Sequence, residues 1–596
     1  METSNSNKTA IKGGEFLIKE TDSKDVFIPE EWSEEQLMIA QTCQDFLDAE
    51  VLPILDRIDA QEEGLMSKLM DKAGELGLLG VSVPEEYGGF GKDFVTSMLS
   101  AEVTGGGHSF SVAISAHTGI GTLPILYYGN AEQKAKYIPK LASGEWKGCY
   151  CLTEPNAGSD ANSGKTKAVL SKDGKHYILN GQKMWITNGG FADVLTVFAK
   201  VDNDKILSAF VVERNFPGVS FNPEEKKMGI KGSSTVQIFF NDCKVPVENM
   251  LGKRGEGFRI ALNILHIGRI KLGANVLGAG RKAITYSVNY ANERKQFGSL
   301  ISNFGAIKYK LAEQVTRQFV TESALYRTSK NVDDTIKQHI SNGLTKPQAY
   351  LEALGEYAME AAILKVLGSE TLDYIVDETV QIHGGMGYSA EMPADRAYRD
   401  SRINRIFEGT NEINRLVACD MFLKMAKKAD SKVFEIAKNI YEQLGSLKEN
   451  TSTDYFEKMH FVVESLKKAS LLMLGKSYET VGKQFGNEQE IMMSISDMLI
   501  QTYAAESVVL RVEKLKALKS EQEYVVYKDI CDVYLYEATS RVYKSAMDAL
   551  NSFANGTEFE KIQNGLKKLT SIHPINIKEA RRRIANKLID DNKYKF

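Results

Sequence analysis

Apolar residues recur at helical spacing over most of the chain and at near-alternating spacing over one central stretch. Residues 1–32 show neither pattern and predict a loose polar arm. The helical pattern starts at Trp32-Ser33. Ser33 and Gln36 predict a capping box, and Leu37, Ala40, Phe46, Leu47, Val51 and Ile54 follow on one face. Pro53 bends or divides that helix. Helix is also predicted over 62–79 and 93–142, on either side of the turn-rich VPEEYGGFG at 83–91.

Near Cys149 the period changes. HYILNGQKMWITNGG, ADVLTVFAKV, LSAFVVE and TVQIFFNDCKV are rich in β-branched and aromatic residues, and Asn180-Gly181 between two such runs predicts a hairpin turn. Helices return over 257–291, 303–333, 346–376 and 408–428. Beyond the polar SLKENTSTD at 446–454, Ile491, Ile495, Met498, Leu499 and Tyr503 form a further apolar stripe. The expectation is a mostly α chain with a central β-domain, an α+β fold. A helical domain over 33–146 precedes a small antiparallel β-domain over 147–250, a helical bundle over 251–428 and an added helical unit over 429–596.

Composition narrows the class. Of 596 residues, 43% are hydrophobic and 26% charged, as in ordinary globular chains. A net charge of −4 argues against a nucleic-acid partner, whose protein footprint is basic. No apolar run approaches the ~18–20 residues that span a bilayer. The opening METSNSNKTAIKGGEFLIKE lacks an apolar signal core and is not an Arg-rich transit sequence, so a cytoplasmic, bacterial setting is expected. The six cysteines include no CxxC pair and the eight histidines are scattered, so no metal site is expected. The tail carries Lys578, Arg581, Arg582, Arg583 and Lys587. It reads as a solvated basic face, with membrane contact at most peripheral.

Four segments bear chemistry. Tyr150-Cys-Leu152-Thr153-Glu-Pro-Asn-Ala-Gly158-Ser159 is a strand running into a turn that exposes N–H groups and hydroxyls; it reads equally as an ordinary strand-end loop. In Trp185-Ile186-Thr187, residues two apart on a strand share a face, which suits an indole and a hydroxyl to a flat conjugated ring; a core Trp is the alternative. Gln381-Ile382-His383-Gly384-Gly385 permits close backbone approach but is not GxGxxG in a βαβ unit. In Phe407-Glu408-Gly409-Thr410-Asn411-Glu412, an apolar neighbour raises a carboxylate's pKa and suits it to general-base work; a helix N-terminal carboxylate is the alternative.

In this order and spacing the four resemble the acyl-CoA dehydrogenase family. The likeness runs from about 33 to 425 and includes GIKGSST at 229–235 and ERKQFG at 293–298. It is strongest to the very-long-chain members, which carry a helical C-terminal extension and read NFG before the helix starting near Ala306. The resemblance implies FAD held by Tyr150, Leu152, Thr153, Gly158, Ser159, Trp185, Ile186 and Thr187, with Arg294, Gln296 and Phe297 on its diphosphate and adenosine side. Gln381, Ile382, His383, Gly384 and Gly385 are implied to hold the same cofactor from a neighbouring subunit, and Thr410, Asn411 and Glu412 to touch it.

The resemblance also implies Glu408 as the α-proton base and flavin N5 as hydride acceptor, with a trans-2-enoyl-CoA product. The thioester oxygen is implied to bond to the Glu408 N–H and a ribityl hydroxyl. Ser159, Arg269, Phe407 and Gly409 are implied to meet the fatty acyl-CoA. Electrons are implied to pass to an electron-transferring flavoprotein. A homodimer is implied, since the extension takes the surface that a second dimer uses in tetrameric relatives. Some relatives place a glutamate base at the position of Gly268, which cannot serve, and His266 reads as a buried histidine. Two further readings are an acyl-CoA oxidase using oxygen and a non-catalytic assembly relative.

Overall fold

The computed structural model describes residues 11–448 and 450–596. The capping box forms as predicted. The Gln36 N–H donates to Ser33 Oγ at 3.2 Å and the Ser33 N–H to Gln36 Oε1 at 2.9 Å, starting the helix Glu34–Phe46. The chain then loosens through a π turn at Leu47–Val51 and a 3-10 turn at Leu52–Ile54 around Pro53. Helices Phe94–Gly105 and Ser109–Ala116 follow; the second runs on through an irregular turn into Leu123–Tyr128.

The central sheet comprises β1 (Gly148–Cys151), β2 (Lys167–Leu170), β3 (His176–Thr187), β4 (Val194–Val201), β5 (Ser208–Glu213), β6 (Val219–Phe221), β7 (Thr235–Pro246) and β8 (Met250–Leu251), in order β6-β7-β3-β2-β4-β5-β8 with β1 beside β4. Two expectations change here. The sheet is mixed rather than antiparallel, because β1 and β2 both pair parallel to β4. Asn180-Gly181 is not a turn: β3 runs through it with a register shift, and the β2–β3 turn falls at 171–176. Gly181 is needed for close approach, since a Cβ there would lie 2.5 Å from Thr166 Oγ1. Cys149 and Cys151 both point into the β-domain core, their sulfurs 3.8 Å apart.

Helices Gly257–Glu293, Gly305–Ser341 and Ala358–His383 form the bundle behind the sheet. Gln489–Leu515 and Glu521–Phe553 pack against it, and Tyr455–Val481 packs on those two. The stripe Ile491, Ile495, Met498, Leu499 and Tyr503 is fully buried there. Ser109–Tyr128 and Gly257–Glu293 are long and apolar enough to cross a membrane by composition, a departure from the sequence reading. Their apolar surface is instead mostly covered by neighbouring elements.

The loose arm is corrected for the part described. Residues 1–10 lie outside the described residues, but 11–32 are seated on the bundle. Phe16, Leu17, Val26 and Ile28 are buried, and Phe16 meets the Tyr503 ring edge-on at 4.8 Å. The Gly14 N–H donates to Glu360 Oε1 at 2.7 Å. Isolated apolar residues in a polar segment fill sockets made by helices distant in sequence, which no local periodicity reports. The tail keeps Lys578, Arg582 and Arg583 exposed, as a solvated basic face, but its cations are paired. Arg581 pairs with Glu313 and Glu537, Arg583 with Asp529 and Lys587 with Asp591.

Candidate active site

The segment 407–414 turns from a short 3-10 helix into the helix Asn411–Ala426. Thr410 caps that helix, its Oγ1 accepting from the Ile413 N–H at 3.2 Å. Glu408 and Gly409 precede it at φ +59° and +80°. A glutamate in the left-handed region is strained, and the surroundings hold it there. Buried Asn414 donates from Nδ2 to the carbonyls of Gly409 at 2.8 Å and Thr410 at 3.0 Å. Arg269 lies beneath the turn, its Nε 3.4 Å from the Glu408 carbonyl and its Nη1 3.4 Å from His266 Nδ1. His266 is buried and pushed down to about 3, so it accepts as a neutral ring.

The strained turn aims Glu408 into a cleft holding about 1100 Å³ of empty space, part of it open to solvent. Thr187, Phe407 and Gly268 share its wall. Glu408 Oε2 is sealed from solvent and has no hydrogen-bond partner among the described residues. Burial pushes this carboxyl up to about 7, against the lowering pull of Arg269 and Lys365. Gly268 is what makes the space: a Cβ there would lie 2.7 Å from Glu408 Oε2. Tyr150 stands close enough to feel the Glu408 charge, its hydroxyl buried and unpaired among the described residues, and burial first and Glu408 second raise its pKa.

The sheet supplies a second edge. Lys183 is fully buried and donates to Glu154 Oε1 at 2.7 Å and to the Leu152 carbonyl at 3.3 Å. Glu154 also accepts the N–H groups of Lys165 and Thr166. This anchor fixes the 152–160 loop and leaves Gly158 and Ser159 exposed, with Thr153 part-covered. β3 does not keep simple alternation at Trp185. A register shift between Lys183 and Ile186 puts Trp185 at φ +60°, with 54% of it exposed.

Several of the implied residues have their side chains turned inward. The Ile186 side chain belongs to the β-domain core, and Ile382 and His383 are buried. His383 Nδ1 meets the Thr379 carbonyl at 2.7 Å and its ring stacks on Tyr290. Asn411 accepts from Lys365 at 2.7 Å and Ser369 at 3.1 Å and donates to Glu370 at 3.0 Å, so its amide is committed inside the bundle. Ile186, Ile382 and Asn411 are left with backbone to offer a ligand, and His383 with its second ring nitrogen.

Arg294, Gln296, Phe297, Gln381, Gly384, Gly385 and Glu412 are exposed and lie outside the cleft wall. Phe297 and Gly298 form a two-residue turn between Lys295–Gln296 and Ser299–Leu300 at φ +53° and +77°. A phenylalanine 96% exposed in a left-handed turn is held out toward something else.

Sequence reasoning missed Lys365, Lys271 and Asn414. Lys365 is fully buried and pushed down to about 7 by burial. The signal was a lone lysine within AAILKVLGS and another within HIGRIKLG.

Comparison with known proteins agrees with this geometry. The acyl-CoA dehydrogenase N-terminal domain model matches residues 33–145, the middle domain 149–243, and two C-terminal domain models 255–420 and 465–568. A Bacillus subtilis protein described as "Probable acyl-CoA dehydrogenase" is 44% identical over 584 residues, 98% of each chain. The human mitochondrial very long-chain specific acyl-CoA dehydrogenase is 39% identical over 510 residues, 80% of this chain and 74% of the relative. The crystal structure of a Bacillus anthracis acyl-CoA dehydrogenase complexed with FAD superposes with a TM-score of 0.96 at 43% identity, covering 98% of this chain and all of that one. With every domain model matched in order and near-complete overlap with a solved member, the chain belongs to the acyl-CoA dehydrogenase family.

Proposed function

We propose that this chain is an FAD-dependent dehydrogenase that converts long-chain acyl-CoA thioesters to trans-2-enoyl-CoA, with Glu408 as the base. The observation that carries the reading is the sealed, partnerless Glu408 Oε2 inside a cleft. A carboxyl raised to about 7 by burial is divided between its two forms near neutrality and keeps the basicity to take a weakly acidic α-proton. Arg269 and Asn414 hold the turn, and the Glu408 N–H would donate to a thioester oxygen as charge develops there.

The residues present fit FAD. A Cβ built on Gly158, Gly384 or Gly385 meets no atom within 4 Å, Tyr150 Oη is an orphaned buried hydroxyl, and the Trp185 ring is half open. Tyr150, Leu152, Thr153, Gly158, Ser159, Trp185 and Thr187 would hold its ring end. Arg294, Gln296 and Phe297 would hold its distal end, with Gln381, Gly384 and Gly385 serving the site of a second subunit. When bound, FAD supplies a two-electron acceptor for the hydride leaving the β-carbon. The exposed Phe297 turn and the Gly384-Gly385 loop, both outside the cleft of their own chain, support a homodimer.

The long-chain preference rests on the cleft walls. Gly105 and Gly106 line it, as do Ser111, Ser115 and Gly119. Of the glycine run after Thr104, Gly107 is elsewhere, packed on Leu47. The wall of the Gly257–Glu293 helix runs from Gly268 to Tyr286, about 27 Å at 1.5 Å per residue. Likeness to very-long-chain enzymes supports the same preference, and the family relationship supports an electron-transferring flavoprotein as acceptor. The bacterial relatives are compatible with a cytoplasmic setting. Anaerobic titration of the bound flavin with acyl-CoAs from C4 to C20 is expected to bleach it best at C12 or longer; a maximum at C4–C6 overturns the preference. Rapid peroxide formation in air would favour an oxidase instead.

Gly268 gives a sharper test of the site. Gly268→Ala forces the Glu408 carboxyl aside while leaving the flavin-facing residues alone. Displacement of a reacting group by about 1 Å costs on the order of 10²-fold in rate. Stopped-flow bleaching is expected to slow by that factor with the flavin still bound. An unchanged rate would mean that Glu408 does not work from this position.

A further inference from the structure

The helix Gly257–Glu293 passes Glu408 at Gly268 and continues along the cleft. Its cleft-facing positions are not uniformly apolar. Among Leu272, Val276 and Ala279 stand Lys271, Asn275 and Lys282. Along the helix axis Lys271 lies about 4.5 Å and Lys282 about 21 Å beyond Gly268.

A wall made only for hydrocarbon would leave no buried polar group unpaired, because such a group loses its hydration without return. Lys271 Nζ donates to the Thr118 hydroxyl. Asn275 donates from Nδ2 to Ser115 Oγ at 2.7 Å, but its Oδ1 takes nothing among the described residues. Lys282 is the extreme case. Its ammonium is sealed from solvent and donates to nothing among the described residues. Its stem crosses Gly106, where a Cβ would lie 2.7 Å from Lys282 Cε, so the glycine makes room for the lysine to lie there.

The charges around it do not neutralise it. Asp48 acts on it through space without a hydrogen bond or ion pair. Asp400, also in the wall, is taken up by His108 Nδ1 at 3.0 Å and the Ile230 N–H. Burial pushes Lys282 down to about 8, so it becomes firmly cationic once an anion lies beside it.

We propose that the cleft accepts long acyl-CoA thioesters whose chain ends in a carboxylate, and that this ω-carboxylate pairs with the Lys282 ammonium. The proposal rests on the acyl-CoA dehydrogenase reading above and adds to it the class of chain. A methyl-ended chain of the same length leaves the ammonium unpaired; an ω-carboxylate supplies a charge-assisted hydrogen bond in a water-poor site.

The test compares palmitoyl-CoA with the mono-CoA thioester of hexadecanedioic acid on the purified holoenzyme, by anaerobic flavin bleaching and by kcat/KM with an artificial acceptor. The ω-carboxy thioester is expected to be favoured by tenfold or more in kcat/KM. Lys282→Met is expected to cut that ratio at least tenfold. A wild-type preference for the methyl-ended chain, or a ratio untouched by Lys282→Met, overturns the proposal. If palmitoyl-CoA bleaches the flavin and the ω-carboxy thioester does not, this inference alone falls. If neither thioester bleaches it, the dehydrogenase reading falls and takes this one with it.

Discussion

Glu408→Gln is expected to purify as a yellow, folded flavoprotein that palmitoyl-CoA no longer bleaches at a useful rate. The substitution keeps the size of the side chain and removes only its ability to accept a proton. A positioned general base contributes 10²–10⁴-fold, so a loss on the order of 10³-fold is expected in anaerobic stopped-flow bleaching. No neighbour can stand in. Gly268 has no side chain, and Tyr150 has its hydroxyl pushed far above the range in which it would ionise near neutrality. Arg269 stays a cation, and Lys365, though pushed down to about 7 by burial, lies outside the cleft wall with its Nζ on Asn411 Oδ1. Bleaching within tenfold of the unsubstituted rate would remove Glu408 from the mechanism.

Glu506→Leu is expected to produce the largest loss of stability of any single charge removal outside the site. Glu506 is buried in the Gln489–Leu515 helix. It accepts from Arg327 Nη2 at 2.8 Å on the Gly305–Ser341 helix, and from Lys467 on Tyr455–Val481. Both cations are buried, Arg327 at 2% exposure and Lys467 at 7%. Without Glu506 they keep only neutral acceptors: Arg327 keeps Ser507 Oγ and Thr21 Oγ1 at 3.2 Å, and Lys467 keeps the Lys19 carbonyl at 3.1 Å. Stranding a buried charge in this way costs about 3–5 kcal/mol. Removing an exposed one, as in Lys544→Ala beside Asp548, costs about 0–1 kcal/mol. Urea denaturation of the flavin-loaded proteins should separate the two variants cleanly. A Glu506→Leu loss below about 1 kcal/mol would mean that the N-terminal segment, the bundle and the extension are not joined through this cluster.

The same cluster explains why the ends of the chain were hard to read. Thr21 and Lys19 bond to it, and Glu30 pairs with Arg511 at 2.7 Å, so residues called a loose arm are tied to helices nearly five hundred positions away. Helical periodicity reports which face of an element is buried, not that Phe16 fills a socket beside Tyr503. The basic tail was legible in part: Lys578, Arg582 and Arg583 are exposed, but the partners of Arg581 and Arg583, namely Glu313, Glu537 and Asp529, lie on other helices. Element types were legible where the period was strong: the helices around 257–291 and 303–333, and the β-rich 147–250. Asn180-Gly181 misled because the glycine serves a close pass to Thr166, which looks identical in sequence to a turn.

In the site, Glu408 was legible through the spacing of its motif. Its setting was not. Gly268, Lys365 and Arg269 reach it only through packing, and the pKa near 7 belongs to that packing. The implied cofactor residues divided along the same line. Trp185 and Thr187 stand free, whereas Ile186 and Asn411 turned inward, because a motif marks a stretch of backbone and packing decides which side chains leave it.

The most direct test of the central claim is stopped-flow bleaching of the bound flavin, without oxygen, by palmitoyl-CoA deuterated at both α-positions. If Glu408 removes an α-proton in the step that reduces the flavin, the deuterated thioester bleaches more slowly than the ordinary one. Equal rates, or no bleaching by either thioester, would contradict that account.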